Sequence, residues 1–369
     1  MRLSCGEDAG GCTIGGMETI RIRDIAFGGD GVGVRERDGK VVLVPFVAKG
    51  ELVEVEMVQE NKRMGRADLV RVVEAATERV APSCPHFTRC GGCSYQHVDY
   101  ATQVAWKRNQ VEQLLRRVGK LEGVEVSDCV PAPDPLRYRN RIRVHARGGV
   151  IGFISHDAAT LVDISECLIA CDSVNEQLRE LREAKGVRDG EYSLKARVGT
   201  QHFEQTNDRV AELLLDQVAD MLPERMERLV DAYCGAGFFA RGLASRCEQV
   251  VGIEEHPSAV KRARNRAGEN EQYIEGRVEA MLGDVLAQGS SDGTVVLLDP
   301  PAAGVGARVT DLLSAARPAR IIYISCDPAT LARDVAALGA GYVVEKVVPV
   351  DMFPQTAEVE VVLSMKRRG

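Results

Sequence analysis

The sequence predicts an α/β protein in which a small β-barrel and a cysteine-rich central α+β region precede a larger, doubly wound parallel sheet. Short alternating runs broken by Gly and Asp turns fill residues 17–75, and three cysteines cluster between residues 84 and 93. From about residue 203 onward, apolar strands alternate with helical segments, which is the pattern of a Rossmann-like fold.

The length of 369 residues exceeds what one hydrophobic core usually organises, so we expect two or three domains. No apolar run is long enough for a transmembrane helix. Residues 1–16 are rich in Gly and small residues and lack the apolar core of a signal peptide, so we expect a disordered extension. Eleven cysteines without a secretion signal favour a reducing, cytoplasmic location, where clustered cysteines bind metal or act in catalysis.

Residues 17–75 carry about five short β runs, separated by the turn signals GGDG, DGK and AKGE. This favours a closed barrel of the OB type, which binds nucleic acid in many proteins and serves as a spacer in others. The net charge of −7 excludes a protein that coats nucleic acid non-specifically. Residues 100–150 hold ten Lys and Arg against five Asp and Glu, so a local basic surface is expected there.

Apolar residues at helical spacing predict an amphipathic helix near residues 100–121: Val104, Val111, Leu114, Leu115 and Val118. Lys and Arg fall on the other side of this helix. They either contact phosphate or form an ordinary solvated helix face, and the sequence does not decide between the two.

Arginine alternates with other residues in RYRNRIRVHA. Because successive side chains of a strand point to opposite faces, this spacing predicts one face that carries Arg137, Arg139, Arg141 and Arg143. Four like charges repel one another unless an anion lies against them. An RNA-facing strip is therefore favoured over an edge strand that arginine protects from aggregation.

A strand, a turn and a helix at residues 231–240 predict a cofactor site. Gly235 and Gly237 permit a tight turn. Glu254 ends the next strand, where a carboxylate can accept hydrogen bonds from both hydroxyls of a ribose. With Ala240 the turn also fits the GxGxxA pattern of nicotinamide enzymes. Asp299, before two prolines at the end of the fourth strand, and the paired β runs that close the sheet favour S-adenosylmethionine over NAD.

Three cysteines, Cys84, Cys90 and Cys93, lie within ten residues on a segment rich in Pro and Gly. Thiolates two residues apart can bind one centre, and the glycines let the chain wrap around it. Cys167 and Cys171 are the candidates for a fourth ligand. The spacing favours a metal centre and leaves open whether it is structural zinc or an iron–sulfur cluster.

Cys326 ends a predicted strand and precedes a helix, at the sheet edge that carries Asp299. A thiol at a helix N-terminus is expected to be exposed and to have a lowered pKa, as a nucleophile requires. No aromatic residue follows Pro301, which disfavours methylation of an amino group, and the same turn lacks the cysteine of cytosine C5 enzymes. Addition of the thiolate to C6 of a uracil, followed by methylation at C5, fits instead. Glu360, with Glu358 as the alternative, is the predicted base that removes the C5 proton.

As a set, these motifs resemble the TRAM-containing RNA uracil-5 methyltransferases of the RumA and TrmA type, over nearly the whole chain from Met17. IAFGGDGVGV and VPFVAKGELVEVEMV resemble the TRAM domain, an OB-like RNA-binding barrel. CPHFTRCGGCSYQH resembles the 4Fe–4S cluster loop of the branch that acts on 23S ribosomal RNA. FEQTN, DAYCGAG, VVGIEE, LLDPP, YISCDPATLARD and DMFPQTAEVEVV match the motif series of the methyltransferase domain.

The resemblance implies a class I methyltransferase domain of residues 98–126 and 202–369, a TRAM domain of residues 17–75, and a central iron–sulfur and RNA-binding domain of residues 76–97 and 127–201. It implies catalysis by Cys326 and Glu360, with Cys167 as the fourth cluster ligand. The cofactor contacts it implies are Gln205, Asp231, Tyr233, Gly235, Gly237, Glu254 and Asp299. We expect a monomer that acts on ribosomal RNA, with transfer RNA as the alternative.

Four residues depart from the family pattern. Ala302 stands where Arg is usual, Asp327 where Asn is usual, Glu358 where His is common, and Arg277 where an acid often follows Gly. None of them is a predicted catalytic residue, so we expect an active enzyme. The rival hypothesis is a non-catalytic RNA-binding or ribosome-assembly factor that keeps the fold.

Overall fold

The computed structural model describes residues 17–196 and 205–369. Three β structures organise this part of the chain: a closed five-stranded barrel, a four-stranded sheet and a seven-stranded sheet. The extension predicted at residues 1–16 and the domain boundary predicted between residues 201 and 202 lie outside the described residues. No helix within the described ranges is both long and apolar enough to cross a membrane.

The barrel contains β1 (Met17–Ile25), β2 (Gly31–Val34), β3 (Val41–Val44), β4 (Leu52–Glu60) and β5 (Met64–Glu74). The strands pair in the order β1-β2-β3-β5-β4, and β1 also pairs with β4, which closes the barrel. Along β4, Val53, Val55 and Met57 are buried, and Glu54 and Glu56 alternate with them on the outside. The expected five-stranded barrel is therefore confirmed.

Helix α1 (Tyr100–Arg117) follows the cysteine-rich segment. Asp99 caps its N-terminus, because the Asp99 carboxylate accepts a hydrogen bond from the backbone N–H of Thr102 (2.8 Å). The central sheet contains β6 (Arg141–Arg147), β7 (Val150–Ile154), β8 (Leu161–Asp163) and β9 (Gly190–Lys195). Their order is β8-β7-β6-β9, and all neighbours are antiparallel. Helix α2 (Asp172–Glu183) packs on this sheet through a shared core that includes Val144 and Leu178.

The large sheet consists of β10 (Met226–Ala232), β11 (Cys247–Glu254), β12 (Glu271–Glu275), β13 (Thr294–Leu298), β14 (Arg320–Ser325), β15 (Tyr342–Val350) and β16 (Glu360–Arg367). The order is β12-β11-β10-β13-β14-β16-β15. The first five strands in this order are parallel, and β16 runs antiparallel between β14 and β15. The expected antiparallel closing pair is thus present, with its second strand on the inside.

Six helices accompany the large sheet: α3 (Asp208–Asp220), α4 (Phe238–Leu243), α5 (Pro257–Arg264), α6 (Val278–Ala287), α7 (Gly306–Ala316) and α8 (Pro328–Leu338). Helices α3 to α5 pack on one face, and α1 with α6 to α8 packs on the other. Neighbouring residues of one strand serve different cores, as Leu229 and Val230 of β10 do. A sheet covered on both faces directs ligands to the edge at which its parallel strands end.

Candidate active site

Cys326 lies in the turn between β14 and α8. The turn is held by Asp327, whose carboxylate accepts hydrogen bonds from the backbone N–H groups of Ala329 and Thr330 (both 2.9 Å). The side chain of Cys326 is exposed. The fold therefore presents this thiol to solvent at the carboxyl edge of the parallel strands.

Glu360 is the first residue of β16 and lies beside Cys326. Ser325 and Val361 form the last pair of the antiparallel ladder of β14 and β16, and Cys326 and Glu360 are the residues directly beyond that pair. Opposed residues of such a pair have Cα atoms about 4.5–5.5 Å apart. Glu360 is 7% exposed, whereas Glu358 is open to solvent. The sheet register thus brings one buried carboxyl next to the thiol.

Asp299 adds a second, half-buried carboxyl to this edge, directly after β13. Burial raises the pKa of Glu360 well above its usual value, and the charges of Asp299 and Glu358 raise it further. Burial likewise raises the pKa of Asp299. Two neighbouring carboxyls that repel one another bind protons more readily than isolated ones, so each is a stronger base than an exposed carboxylate.

The pKa of Cys326 is raised to about 11, first by burial of its sulfur and then by the charges of Glu360, Asp299 and Asp327. The sulfur is partly covered although the residue as a whole is exposed. The expectation of a lowered pKa is therefore wrong. A helix N-terminus contributes about 0.3–1 kcal/mol, which is less than the roughly 1.4 kcal/mol that a single pKa unit represents. The free protein carries a neutral thiol, and a cation at this edge would favour the thiolate.

The turn after β10 lies next to the acidic edge. Tyr233, Gly235 and Gly237 have φ angles of 70°, 54° and 83°, which turn the chain sharply into α4. A Cβ atom at position 237 would lie 2.6 Å from the hydroxyl of Tyr273, so only glycine fits there. Glu254, at the end of β11, accepts a hydrogen bond from the backbone N–H of Gly235 (3.0 Å). This bond fixes the carboxylate at the mouth of the turn.

Asp231 is fully buried beneath this turn. Its Oδ2 accepts a hydrogen bond from the backbone N–H of Ala240 (2.9 Å), while its Oδ1 and the Tyr233 hydroxyl have no partner among the described residues. Burial raises the pKa of Asp231 well above its usual value, and Asp299 and Glu254 add to the rise. Unpaired buried polar atoms indicate a ligand site, and the gathered carboxyl groups favour a cationic ligand.

Gln205 lies just before α3, and its backbone carbonyl accepts a hydrogen bond from the side-chain amide of Asn140 (2.8 Å). Asn207 caps α3 and donates through Nδ2 to the carbonyl of Met352 (3.3 Å). Phe203, the first residue of the F-x-Q-x-N motif, lies outside the described residues. The contacts tie this motif to the strand-linking segment before β16 and leave the cofactor role of Gln205 a prediction.

The buried face of α1 is polar along its N-terminal half, which the sequence pattern did not indicate. Gln103, Lys107 and Gln110 are buried, whereas Val118, predicted on the apolar face, is 43% exposed. Lys107 donates to Asp351, which lies 244 residues further along the chain. The expectation of a solvated or phosphate-binding basic face is therefore wrong for Lys107, because a buried carboxylate compensates its charge. The i, i+4 spacing of Gln103 and Lys107, which places both on one side of the helix, is the sequence feature that could have indicated this polar buried face.

The four predicted metal ligands line one cavity of about 620 Å³: Cys84, Cys90, Cys93 and Cys167. Cys171, the other candidate, lines a different cavity. Burial raises the pKa of Cys90 to about 11 and that of Cys93 to about 12. Buried thiolates are stable only beside a cation, so this set of donors suits a metal centre.

The geometry of the thiols bears on which centre they suit. Within residues 17–196 and 205–369, no three His, Cys, Asp or Glu side chains converge closely enough to bind a single metal ion as they stand. A zinc site requires such convergence. A 4Fe–4S cluster binds each cysteine through a separate iron, so its four thiols surround a larger group. The four cysteines that border the cavity are donors of the type that either centre uses.

The predicted face of four arginines is not formed. Strand β6 begins at Arg141, and Arg137 precedes it in a turn with a φ of 57°, where its guanidinium pairs with Glu166 (2.6 Å). A left-handed residue ends the extended backbone on which the period of two depends. Arg139, Arg141 and Arg143 nevertheless line the cysteine cavity together, while Arg137 lines another one.

The loop after Asp299 is held by α8, although Ala302 lacks the side chain that the family pattern places there. The Thr330 hydroxyl donates to the carbonyl of Ala302 (3.0 Å), and the Arg333 guanidinium donates to the carbonyl of Ala303 (2.9 Å). Asp334 accepts a hydrogen bond from the backbone N–H of Val305 (2.9 Å). Helix α8 therefore fixes the loop backbone relative to the nucleophile turn.

Comparison with protein families places this edge in a known class. A model described as a methyltransferase domain matches residues 230–297. A model described as tRNA (uracil-5-)-methyltransferase matches residues 282–368, the part that contains Cys326 and Glu360. With its Rossmann-like sheet and inserted antiparallel strand, the domain is that of a class I methyltransferase that uses S-adenosylmethionine.

Whole-chain comparisons narrow the class. Proteins named uncharacterized RNA methyltransferase from Gloeobacter violaceus and Bdellovibrio bacteriovorus are each 30% identical over 95% and 96% of this chain, respectively, and over 96% of their own length. The crystal structure of Pyrococcus abyssi tRNA (uracil-54, C5)-methyltransferase in complex with S-adenosyl-L-homocysteine has a similar fold, with a TM-score of 0.71 and 24% identity over 94% of this chain and 100% of that one. The chain therefore belongs to a family of RNA methyltransferases, and its C-terminal part matches the uracil-5 model.

These findings confirm the prediction of an S-adenosylmethionine-dependent RNA methyltransferase. They also confirm a class I fold preceded by a five-stranded barrel. The nicotinamide reading of the GxGxxA turn is set aside, because the methyltransferase model covers that turn.

Alkylation of Cys326 tests the charge balance of the site. Only the thiolate reacts, so iodoacetamide should modify Cys326 slowly at neutral pH and faster as the pH rises, with a midpoint near pH 11. Peptide mass spectrometry follows this cysteine separately from the others. Glu360→Gln removes a neighbouring charge and should lower the midpoint. A wild-type midpoint at or below about pH 8.5, the ordinary thiol value, would contradict the raised pKa.

Proposed function

We propose that this enzyme transfers a methyl group from S-adenosylmethionine to C5 of a specific uridine in structured RNA, with Cys326 as the nucleophile and Glu360 as the base. The observation that carries the proposal is that the last pair of β14 and β16 brings the thiol close to a buried carboxyl, whose charge raises the pKa of Cys326. C5 of uracil is too weakly nucleophilic to take a methyl group unaided. A nucleophile must first add to C6, and a base must later remove the C5 proton.

The thiol of Cys326 loses its proton to solvent, to which its side chain is open, and Sγ bonds to C6. The electrons of the C5–C6 double bond move toward the C4 carbonyl. C5 would then bond to the methyl carbon while the bond from that carbon to the donor's sulfonium sulfur breaks, and the donor leaves as a neutral thioether. Glu360 takes the proton from C5, the double bond re-forms and the thiolate leaves. The raised pKa of Glu360 makes its carboxylate a stronger base than an exposed one.

The turn after β10 is the proposed binding site of the methyl donor. The donor supplies a methyl group on a positively charged sulfur, and this charge suits the carboxyl-rich edge. Glu254 would accept hydrogen bonds from the ribose, and Asp231 and Tyr233 offer unpaired buried atoms. The full set of proposed contacts is Gln205, Asp231, Tyr233, Gly235, Gly237, Glu254 and Asp299. A cation here would also lower the pKa of Cys326 and so favour its thiolate.

RNA binding is assigned to the barrel and the central sheet. Residues 17–75 would act as the TRAM domain, and residues 76–97 and 127–201 would form the central domain. Arg139, Arg141 and Arg143, which border one cavity, are proposed to contact phosphate and bases, with Arg137 at its own turn beside them. The target uridine would leave its stack to reach Cys326.

The cavity of four cysteines is proposed to hold a 4Fe–4S cluster. Cys84, Cys90, Cys93 and Cys167 would be its ligands. Methyl transfer requires no electron transfer, so the cluster would serve structure or RNA positioning. The cavity also borders the three arginines, which supports the second role.

Two replacements test the catalytic pair. Cys326→Ala should abolish methyl transfer and leave RNA binding intact, because it removes the covalent step alone. Glu360→Gln should accumulate a covalent RNA–protein adduct, seen as a gel-shifted species that survives denaturant, because the C5 proton cannot leave. Glu358→Gln is the matched control and should turn over.

Full turnover of Cys326→Ala would contradict the thiolate mechanism. An adduct that accumulates in Glu358→Gln and not in Glu360→Gln would assign the role of base to Glu358. A chain that binds RNA but transfers no labelled methyl would support the non-catalytic alternative.

The fourth ligand is tested by a matched pair of cysteine variants. Anaerobically purified protein should be brown and contain about four irons per chain. Cys167→Ser should lose the visible absorbance and the iron, while Cys171→Ser should keep both. The reason is that Cys167 borders the cluster cavity, whereas Cys171 borders a different one. Equal iron content in the two variants would contradict the assignment.

The substrate is tested by mapping 5-methyluridine in RNA from cells with and without this gene. Loss of one site in 23S ribosomal RNA is expected, in keeping with the cysteine loop. Loss from transfer RNA alone would identify the alternative substrate, and unchanged maps would contradict the proposed function.

A further inference from the structure

The segment that delivers Glu360 is a buried loop. Residues 351–359, called the base loop here, join Val350 of β15 to Glu360 of β16, and these two residues are partners in the strand pairing. Seven of its nine residues are buried, all except Phe353 and Glu358. Connecting loops normally run over the surface, because buried backbone polar groups need partners. The partners of this loop therefore define what holds Glu360.

Helix α1 supplies the first set of partners. The Nζ atom of Lys107 lies 2.5 Å from Asp351 Oδ1 and donates to the carbonyl of Phe353 (3.0 Å). The Tyr100 hydroxyl donates to Asp351 Oδ2 (2.8 Å). Lys107 and Asp351 are both completely buried. The beginning of the base loop is thus fixed to α1 by an ion pair that is shielded from bulk solvent.

Gln103 and Gln355 pair reciprocally in the middle of the loop. The backbone N–H of Gln355 donates to Gln103 Oε1 (3.0 Å), and Gln103 Nε2 donates to Gln355 Oε1 (3.1 Å). Gln355 has a φ of 70°, a conformation that residues other than glycine rarely adopt and that surrounding contacts must impose. Gln103 of α1 therefore bonds to both the backbone N–H and the side-chain oxygen of this strained residue.

The cysteine segment supplies the second set. The carbonyl of Gln355 accepts hydrogen bonds from the backbone N–H groups of Ser94 and Tyr95 (both 3.0 Å), which directly follow Cys93. Gln355 is therefore held on one side by α1 and on the other by the segment after Cys93. It lies five residues before Glu360, within a loop whose two ends are fixed by strand pairing.

We propose that Gln103 and Gln355 are positioning residues for Glu360, which transmit the placement of α1 and of the segment after Cys93 to the proton-removal step. This inference rests on the proposed role of Glu360 as the base. The thiol turn has its own support from Asp327 and α8, so loosening the base loop leaves addition and methyl transfer unchanged and slows release of the covalent adduct. The two positions therefore act on one step of the reaction and spare the other.

The experiment compares adduct formation with adduct release. Gln103→Met keeps the side-chain shape and removes both hydrogen bonds to Gln355. It should slow adduct release by about tenfold to a hundredfold, the range that a misplacement of about 1 Å produces, with first-turnover methyl transfer unchanged. Gln113→Met on the same helix breaks a bond to Asp24 of the barrel and is the matched control, with release expected at the wild-type rate. Quenched-flow samples run on denaturing gels give both rates, normalised to the active fraction.

A second variant covers the case in which Gln103→Met does not fold. Glycine tolerates the positive φ, so Gln355→Gly keeps the backbone bonds and loses the two side-chain bonds, to Gln103 and to the carbonyl of Pro135. It should slow release in the same direction by a smaller factor. Release at the wild-type rate in either folded variant, or an equal slowing of formation and release, overturns the positioning role. Absence of an adduct in Glu360→Gln instead overturns the proposed mechanism itself, so the two failures are distinguishable.

Discussion

The antiparallel insertion of β16 between β14 and β15 constrains the reactive edge more than any single side chain does. Side chains alternate along a strand, so a shift of one residue would turn Glu360 to the other face of the sheet. In the observed register Val361 and Leu363 of β16 pack in one core and Val362 packs in the other. The facing positions of Cys326 and Glu360 thus follow from hydrophobic packing on both sides of the sheet.

The negative charges at this edge disfavour the thiolate form of Cys326 until a cationic ligand binds. Burial raises the pKa of the carboxyl groups of Asp231, Asp299 and Glu360, and the charges of Asp299 and Glu360 in turn raise the pKa of the Cys326 thiol. Asp327 contributes to that effect while it caps α8. Capping requires only a side-chain oxygen, so Asp and Asn serve equally, but Asp adds a charge beside the nucleophile. This departure from the family pattern therefore changes the acidity of the site and leaves its geometry intact.

The sequence was sufficient for features that depend on local pattern. The carboxyl ends of parallel strands meet at one edge, so Cys326 and Asp299 could be placed together from strand assignments alone. Features that depend on partners far along the chain could not be predicted. The burial of Lys107 required Asp351, the turn at Arg137 required its φ angle, and the pKa of Cys326 required the sum of several charges.

The buried pair of Lys107 and Asp351 also has a consequence for biosynthesis. It joins residues that are 244 positions apart, and the loop that supplies Asp351 is made only after most of the chain has left the ribosome. Until then the lysine has no carboxylate to accompany it into the interior, so α1 cannot complete its docking. The nucleophile turn is translated before the strand that carries its neighbouring carboxyl. A nascent chain therefore possesses the thiol but not the finished pocket, and maturation of the reactive edge belongs to the last stage of folding.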